Sequence, residues 1–288
     1  MAHPVPPPPA GADRRAHPRE RAPVQGVLFT ALRATRLRVH DLRTALGAVV
    51  LAGAALAALG VTAFAGVAHW VRAGATQPFD EAVLRWLGAH RIPLLEALFL
   101  ELTFLGTATV VIGLAAVSAL FLALMRQRTA AALLLWATLG AVLLNFVLKS
   151  LFDRPRPQLF DWGTHAATTS FPSGHAMSAA AVYGTVAFLA ARLTYRRGVR
   201  RAIYAGATLL VLVVAFSRLY LGVHYPTDVL AGLVVGAAWA AFCAAALEAG
   251  QQLARRARGP AEGDLPDADV AAAKAHADAQ PRSREQRR

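Results

Sequence analysis

Six long apolar runs, at about 45 to 68, 98 to 124, 130 to 149, 175 to 193, 202 to 217 and 227 to 248, alternate with short polar connections. Most hold the ~20 residues that a helix needs to cross a bilayer, and the fifth reaches that length with its flanks. Charged side chains are nearly absent inside the runs, as expected where each would cost about 2.5 to 3.5 kcal/mol at the membrane centre. The pattern predicts an all-α, polytopic bundle of six membrane helices. Arginines mark alternate connections: Arg33, Arg36, Arg38 and Arg43, then Arg126 and Arg128, then Arg192, Arg196, Arg197, Arg200 and Arg201, and finally Arg255, Arg256 and Arg258. The positive-inside rule assigns these connections and both termini to the cytoplasm. Stretches 69 to 97, 150 to 174 and 218 to 226 then face outward. The first of them carries Phe79, Val83, Trp86 and Leu87 at helical spacing, with Asp80, Glu81 and Arg85 between, and predicts an interfacial helix.

The ends read differently. Residues 1 to about 25 are rich in Pro, Ala and Arg without apolar periodicity, which predicts disorder, and 26 to 43 suit a short helix on the membrane surface. The first apolar run begins only near Thr44, so it is expected to remain as the first span rather than be cleaved as a signal peptide. The tail beyond Gly250 is polar and Ala-rich, a frayed helix followed by disorder. The expected organisation is therefore 1–43 as a basic N-terminal region, 44–250 as the membrane domain and 251–288 as a cytoplasmic tail.

Composition agrees: of 288 residues 56% are hydrophobic and 16% charged, too apolar for an ordinary soluble domain. A net charge of +13 raises the possibility of a nucleic-acid partner, but the basic residues sit at the ends of apolar runs rather than on one module. No nucleic-acid partner is expected. The single cysteine, Cys243, lies inside an apolar run and reads as packing; alone it excludes an internal disulfide and any cysteine-based metal cluster.

Candidate chemistry gathers on the outward connections. Phe171-Pro172-Ser173-Gly174-His175 stands between a polar loop and an apolar run, the pattern of a helix N-terminus. Such an end offers unpaired N–H groups and the positive pole of the helix dipole to an anion, and Gly174 lets that anion approach the main chain. The third run ends in Asn145 and Lys149 and continues through Arg154, Arg156 and Pro157, basic residues on the side where few are expected. The fifth ends at Ser217-Arg218, followed by His224; the last opens with Tyr225, Pro226, Thr227 and Asp228. A four-residue separation brings Asp228 within reach of the His224 ring, where a carboxylate on one ring nitrogen leaves the other as a lone-pair nucleophile. Because the chain crosses the membrane twice between His175 and Arg218, all these elements return to one face. Three cations and a helix N-terminus make a phosphate cradle.

In this combination, Lys149 to Arg156-Pro157, Pro172-Ser173-Gly174-His175 and Ser217-Arg218 to His224 and Asp228 resemble the three-part signature of the type 2 phosphatidic acid phosphatase superfamily. The resemblance covers about residues 75 to 250. It implies a six-helix integral membrane phosphatase with a haloperoxidase-like core, which needs no metal or other cofactor and acts on a lipid phosphate. It implies that His224 is the nucleophile forming a phosphohistidine, Asp228 its orienting partner and His175 the leaving-group acid. Lys149, Arg156, Ser173, Gly174 and Arg218 would hold the phosphoryl oxygens. Undecaprenyl diphosphate, phosphatidylglycerol phosphate and phosphatidic acid are the substrates the family suggests. Two other readings stand beside hydrolysis: phosphotransfer to another acceptor, and a non-catalytic anion-binding membrane protein. The family's haloperoxidase branch is soluble, which the six apolar runs oppose. His69, His90 and His165 face outward but fall outside the motifs. Arg154 and Asp153 are candidates for contacting the substrate headgroup, and Trp136 and Trp239 for packing or lipid contact. Oligomeric state is not encoded in any motif.

Overall fold

The computed structural model describes residues 55–160 and 168–257. The expectations for 1–43, for His165 and for the tail beyond 257 lie outside the described residues. Eight helices are found among them, and no strand: α1 Ala55–Arg72, α2 Gln77–Ala89, α3 Pro93–Phe104, α4 Ala108–Leu124, α5 Arg128–Leu151, α6 Gly174–Arg192, α7 Arg197–Tyr220 and α8 Pro226–Ala257. Five of these, α1, α5, α6, α7 and α8, are long and apolar enough to span a membrane, and α3 with α4 makes a sixth, bent span. The all-α, six-helix bundle is thus present. The fifth span, short in the apolar pattern, gains its length by starting at Arg197 and running to Tyr220.

One expectation needs correction and a second gains detail. The run 98 to 124 is not one helix: it breaks between Phe104 and Ala108, and the halves meet at 47°. Thr107 caps the new start by accepting from the Val110 N–H at 3.5 Å. Gly106, at the break, packs so closely that a Cβ there would stand 2.5 Å from Val214 Cγ1 and 3.0 Å from His175 Cδ2. The interruption frees the Leu105 carbonyl, which accepts from the Tyr183 hydroxyl at 2.6 Å. In α2 the helix forms as expected, but its buried stripe is Asp80, Leu84 and Leu87, while Phe79 and Trp86 are exposed. Asp80 belongs to the buried face because it has partners there, described below.

The centre of the bundle is α6, with 61% of its apolar window buried against 28% for α5, α7 and α8. Alanines fill its surface, and α8 lies against it through Gly232 and Gly236. A Cβ at Gly232 would meet the Ser173 carbonyl at 2.5 Å, and one at Gly236 the Met177 carbonyl at 2.3 Å. Small residues four apart let helix backbones approach closely where no water drives association. Trp239 closes the α5 side by donating from Nε1 to the Ala137 carbonyl at 2.8 Å, and Cys243 is buried, so both pack as expected. Arg126, Arg128 and Arg192 meet at one end of the bundle. The C-termini of α5 and α7 and the N-termini of α6 and α8 form the other.

Candidate active site

Those four helix ends converge on a cavity of about 230 Å³ walled by Lys149, Arg156, Gly174, His175, Arg218 and His224, and lined also by Gly106, Asn145 and Ser178. Each element delivers its residue for a local reason. Lys149 is in the last turn of α5, where a cation suits the helix dipole. At the start of α6 the amides of Gly174, His175 and Ala176 precede the first intrahelical bond, from Met177 N to the Ser173 carbonyl at 3.0 Å. Beyond α7, Gly222 adopts φ 75°, a left-handed turn that favours glycine, and the chain reverses so that His224 comes back over the cavity.

The cations are held before any ligand arrives. Arg156 donates from Nε to the Thr168 carbonyl at 2.7 Å and from Nη1 to the Val223 carbonyl at 2.8 Å. Lys149 Nζ donates to the Thr169 carbonyl at 2.5 Å and to Thr168 Oγ1 at 3.2 Å. Arg218, almost wholly buried, donates to Thr103 Oγ1 at 2.7 Å across the α3 end, while its Nε has no partner. Burial lowers the pKa of Arg156, and the Asp228 charge partly offsets this.

Arg156 Nη1 also stands 3.1 Å from His224 Nε2. A guanidinium can only donate, so Nε2 must accept, and the ring proton of the neutral imidazole belongs on Nδ1. Burial keeps the ring neutral by lowering its pKa to about 4, although Asp228 pulls the other way. Nδ1 faces Asp228 Oδ2 at 3.6 Å, an electrostatic contact longer than a hydrogen bond. The carboxylate itself is fully engaged: Oδ2 accepts from the Tyr225 N–H at 2.9 Å and from the Ser170 hydroxyl, and Oδ1 from Arg154 Nη1 at 2.7 Å.

The cavity wall therefore holds Lys149, Arg156, Gly174, His175, Arg218 and His224, with Asp228 directly behind His224. Ser173 differs. It is the N-cap of α6, fully buried, with an unpartnered Oγ, and its N–H is committed to the Asp228 carbonyl at 3.0 Å. Arg154 is not free for a headgroup: its side chain is 10% exposed and bound to Asp228 and to Asp80 Oδ2 at 2.8 Å. Asp153 is exposed, and His90 is occupied by the Trp86 carbonyl at 2.8 Å. Asp80, Ser170, Thr103 and Gly106 were not singled out in the sequence. For Asp80 a signal existed, a lone carboxylate in register with Leu84 and Leu87 at i, i+4 and i+7.

Fold and cavity together place the chain in the class of multi-span membrane phosphatases, and comparison with known proteins gives the family. The PAP2 superfamily profile matches residues 130–251. Phosphatidylglycerophosphatase B of Bacillus subtilis is 34% identical over 58% of this chain and 82% of its own length. The putative undecaprenyl-diphosphatase YbjG of Escherichia coli is 38% identical over 33% of this chain, a match spanning 46% of that relative. The crystal structure of a transmembrane PAP2-type phosphatidylglycerolphosphate phosphatase from Bacillus subtilis superposes with a TM-score of 0.63 at 29% identity, covering 69% of this chain and 98% of that one. The chain belongs to the PAP2 superfamily.

Proposed function

We propose that the protein is a lipid phosphate phosphatase, cleaving a phosphomonoester or diphosphate of a membrane lipid through a phosphohistidine on His224. The observation that carries the reading is the 3.1 Å contact of Arg156 Nη1 with His224 Nε2, with Nδ1 facing Asp228: it assigns the lone pair to Nε2 at the cavity wall and the proton to Nδ1. A phosphoryl group in the cavity meets Lys149, Arg156, Arg218 and the first amides of α6, positive charge directed at its equatorial oxygens. Its oxygens would take over the Arg156 fork that now occupies Nε2, so substrate binding itself uncovers the nucleophile. Nε2 then attacks phosphorus, the bond from phosphorus to the lipid oxygen breaks, and His175 supplies the proton for that oxygen. Water attacks the phosphohistidine in the second step and gives its proton to His175, the bond from Nε2 to phosphorus breaks, and phosphate leaves with both histidines restored. No step calls for a metal.

The names of the relatives support phosphatidylglycerol phosphate and undecaprenyl diphosphate as substrates. Arginine distribution supports a cavity on the outer face of the plasma membrane with both termini in the cytoplasm, and the span of apolar runs supports a catalytic domain of 44–250. Purified protein in detergent should release inorganic phosphate from a panel of lipid mono- and diphosphates in the presence of chelator, and His224→Ala should reduce release to background. Release abolished by chelator, or retained by His224→Ala, overturns the histidine mechanism.

A further inference from the structure

Behind the proposed nucleophile lies a buried charge cluster built from three separate pieces of chain. Arg154, on the loop after α5, joins Asp228 on α8 at 2.7 Å and Asp80 on α2 at 2.8 Å. Both carboxylates are fully buried. The guanidinium lies over the Tyr225 ring, 4.1 Å from its centre, and also donates to Gln77 Oε1 at 2.9 Å and Thr227 Oγ1 at 2.9 Å. Asp80 in turn accepts from the Thr227 N–H at 3.0 Å and hydroxyl at 2.6 Å. Burying three charges is expensive, and replacing such a cluster by apolar side chains is often neutral or stabilising. Stability alone is a weak reason for it.

We infer that Asp80 and Arg154 are a positioning pair for His224: Arg154 clamps the Asp228 carboxylate, and the Asp80 charge prevents that clamp from cancelling the field of Asp228 at the imidazole. The inference rests on the reading of His224 as nucleophile. Arg154 with Asp228 alone would be neutral. With Asp80 the cluster carries one net negative charge on the Nδ1 side of the ring. Among the described residues, the other charged or titratable groups facing His224 are cationic or become so on protonation: Arg156 from the loop, Arg218 from α7, Lys149 from α5 and His175 from α6. As Nε2 bonds to phosphorus the ring becomes positive, and the net charge behind it is what offsets those cations.

The test uses the purified full chain in detergent with a lipid phosphate, comparing Asp80→Asn, Arg154→Gln, the double variant and, as control, His224→Ala. Asp80→Asn keeps the shape but discharges the cluster, so kcat should fall about tenfold or more, the range for losing an outer partner of an active-site histidine, with KM close to that of the parent. The acid limb of kcat/KM should move to lower pH, since the His224 cation loses its counter-charge. Arg154→Gln should move that limb to higher pH, and the double variant, which restores one net negative charge, should be faster than Asp80→Asn. A merely structural fastener would lower Tm in all three while leaving the limb in place; that result, or a double variant no faster than Asp80→Asn, overturns the inference. Activity retained by His224→Ala would instead overturn the underlying mechanism, so the two failures are distinguishable.

Discussion

The 3.1 Å contact between Arg156 and His224 links protonation to reactivity at the level of single side chains. Because burial pushes the His224 ring down to about 4, well below an ordinary imidazole, it stays neutral through the window of about pH 5 to 8 where histidine usually switches. Under the proposed mechanism, falling pH therefore removes the His224 lone pair only as it approaches about 4. A pH series of kcat/KM should show no loss of nucleophile above that limb; a limb centred at the ordinary imidazole value contradicts the burial argument. His175→Ala should slow turnover by about a hundredfold to ten-thousandfold, the usual contribution of a positioned acid. The loss should shrink for substrates with an already acidic leaving group, measurable with a series of aryl phosphates. The motifs made His175, Arg218 and His224 legible because their chemistry is written in residue type and spacing. Asp80 shows in the sequence only as a carboxylate on an apolar stripe, and Ser170 not at all, because their partners Arg154 and Asp228 stand 74 and 58 positions away.

Two features of the helices decide where those side chains stand. One is the break at Gly106, which the apolar pattern conceals because Leu105, Gly106 and Thr107 are no less membrane-compatible than their neighbours. Gly106→Ala should push on Val214 and His175 and lower kcat, as assayed by phosphate release. The other is the close approach of α6 and α8. Gly236→Val places atoms where the Met177 carbonyl and Ala180 already are, so the protein should lose about 1 to 3 kcal/mol of stability or more. Gly113→Ala in α4, where nothing lies within 4 Å, should leave Tm unchanged in the same thermal unfolding experiment. The number of spans follows from hydrophobicity alone, whereas their bends and contacts depend on which atoms meet.

Across the whole bundle, one end holds the cationic cavity and the opposite end is rich in arginine, and the proposed orientation places the cavity outside. In a Cys243→Ala background, single cysteines replacing the exposed Asp153 and His90 should react with an impermeant reagent from one side of the membrane. Those replacing the exposed Gln127 and Arg197 should react only from the other. Labelling of all four from one side would dismantle the topology and the cavity with it. The chain read on its own marks out six apolar spans and the residue types in the connections between them, because the bilayer penalises charge regardless of context. It also determined the candidate acid, nucleophile and phosphate ligands. Tertiary packing alone settles that Ser173 is buried, that Arg154 binds Asp228, and that α2 buries a carboxylate. Those outcomes depend on hydrogen bonds between segments far apart in the chain, and a pattern read along one segment carries no record of its partners.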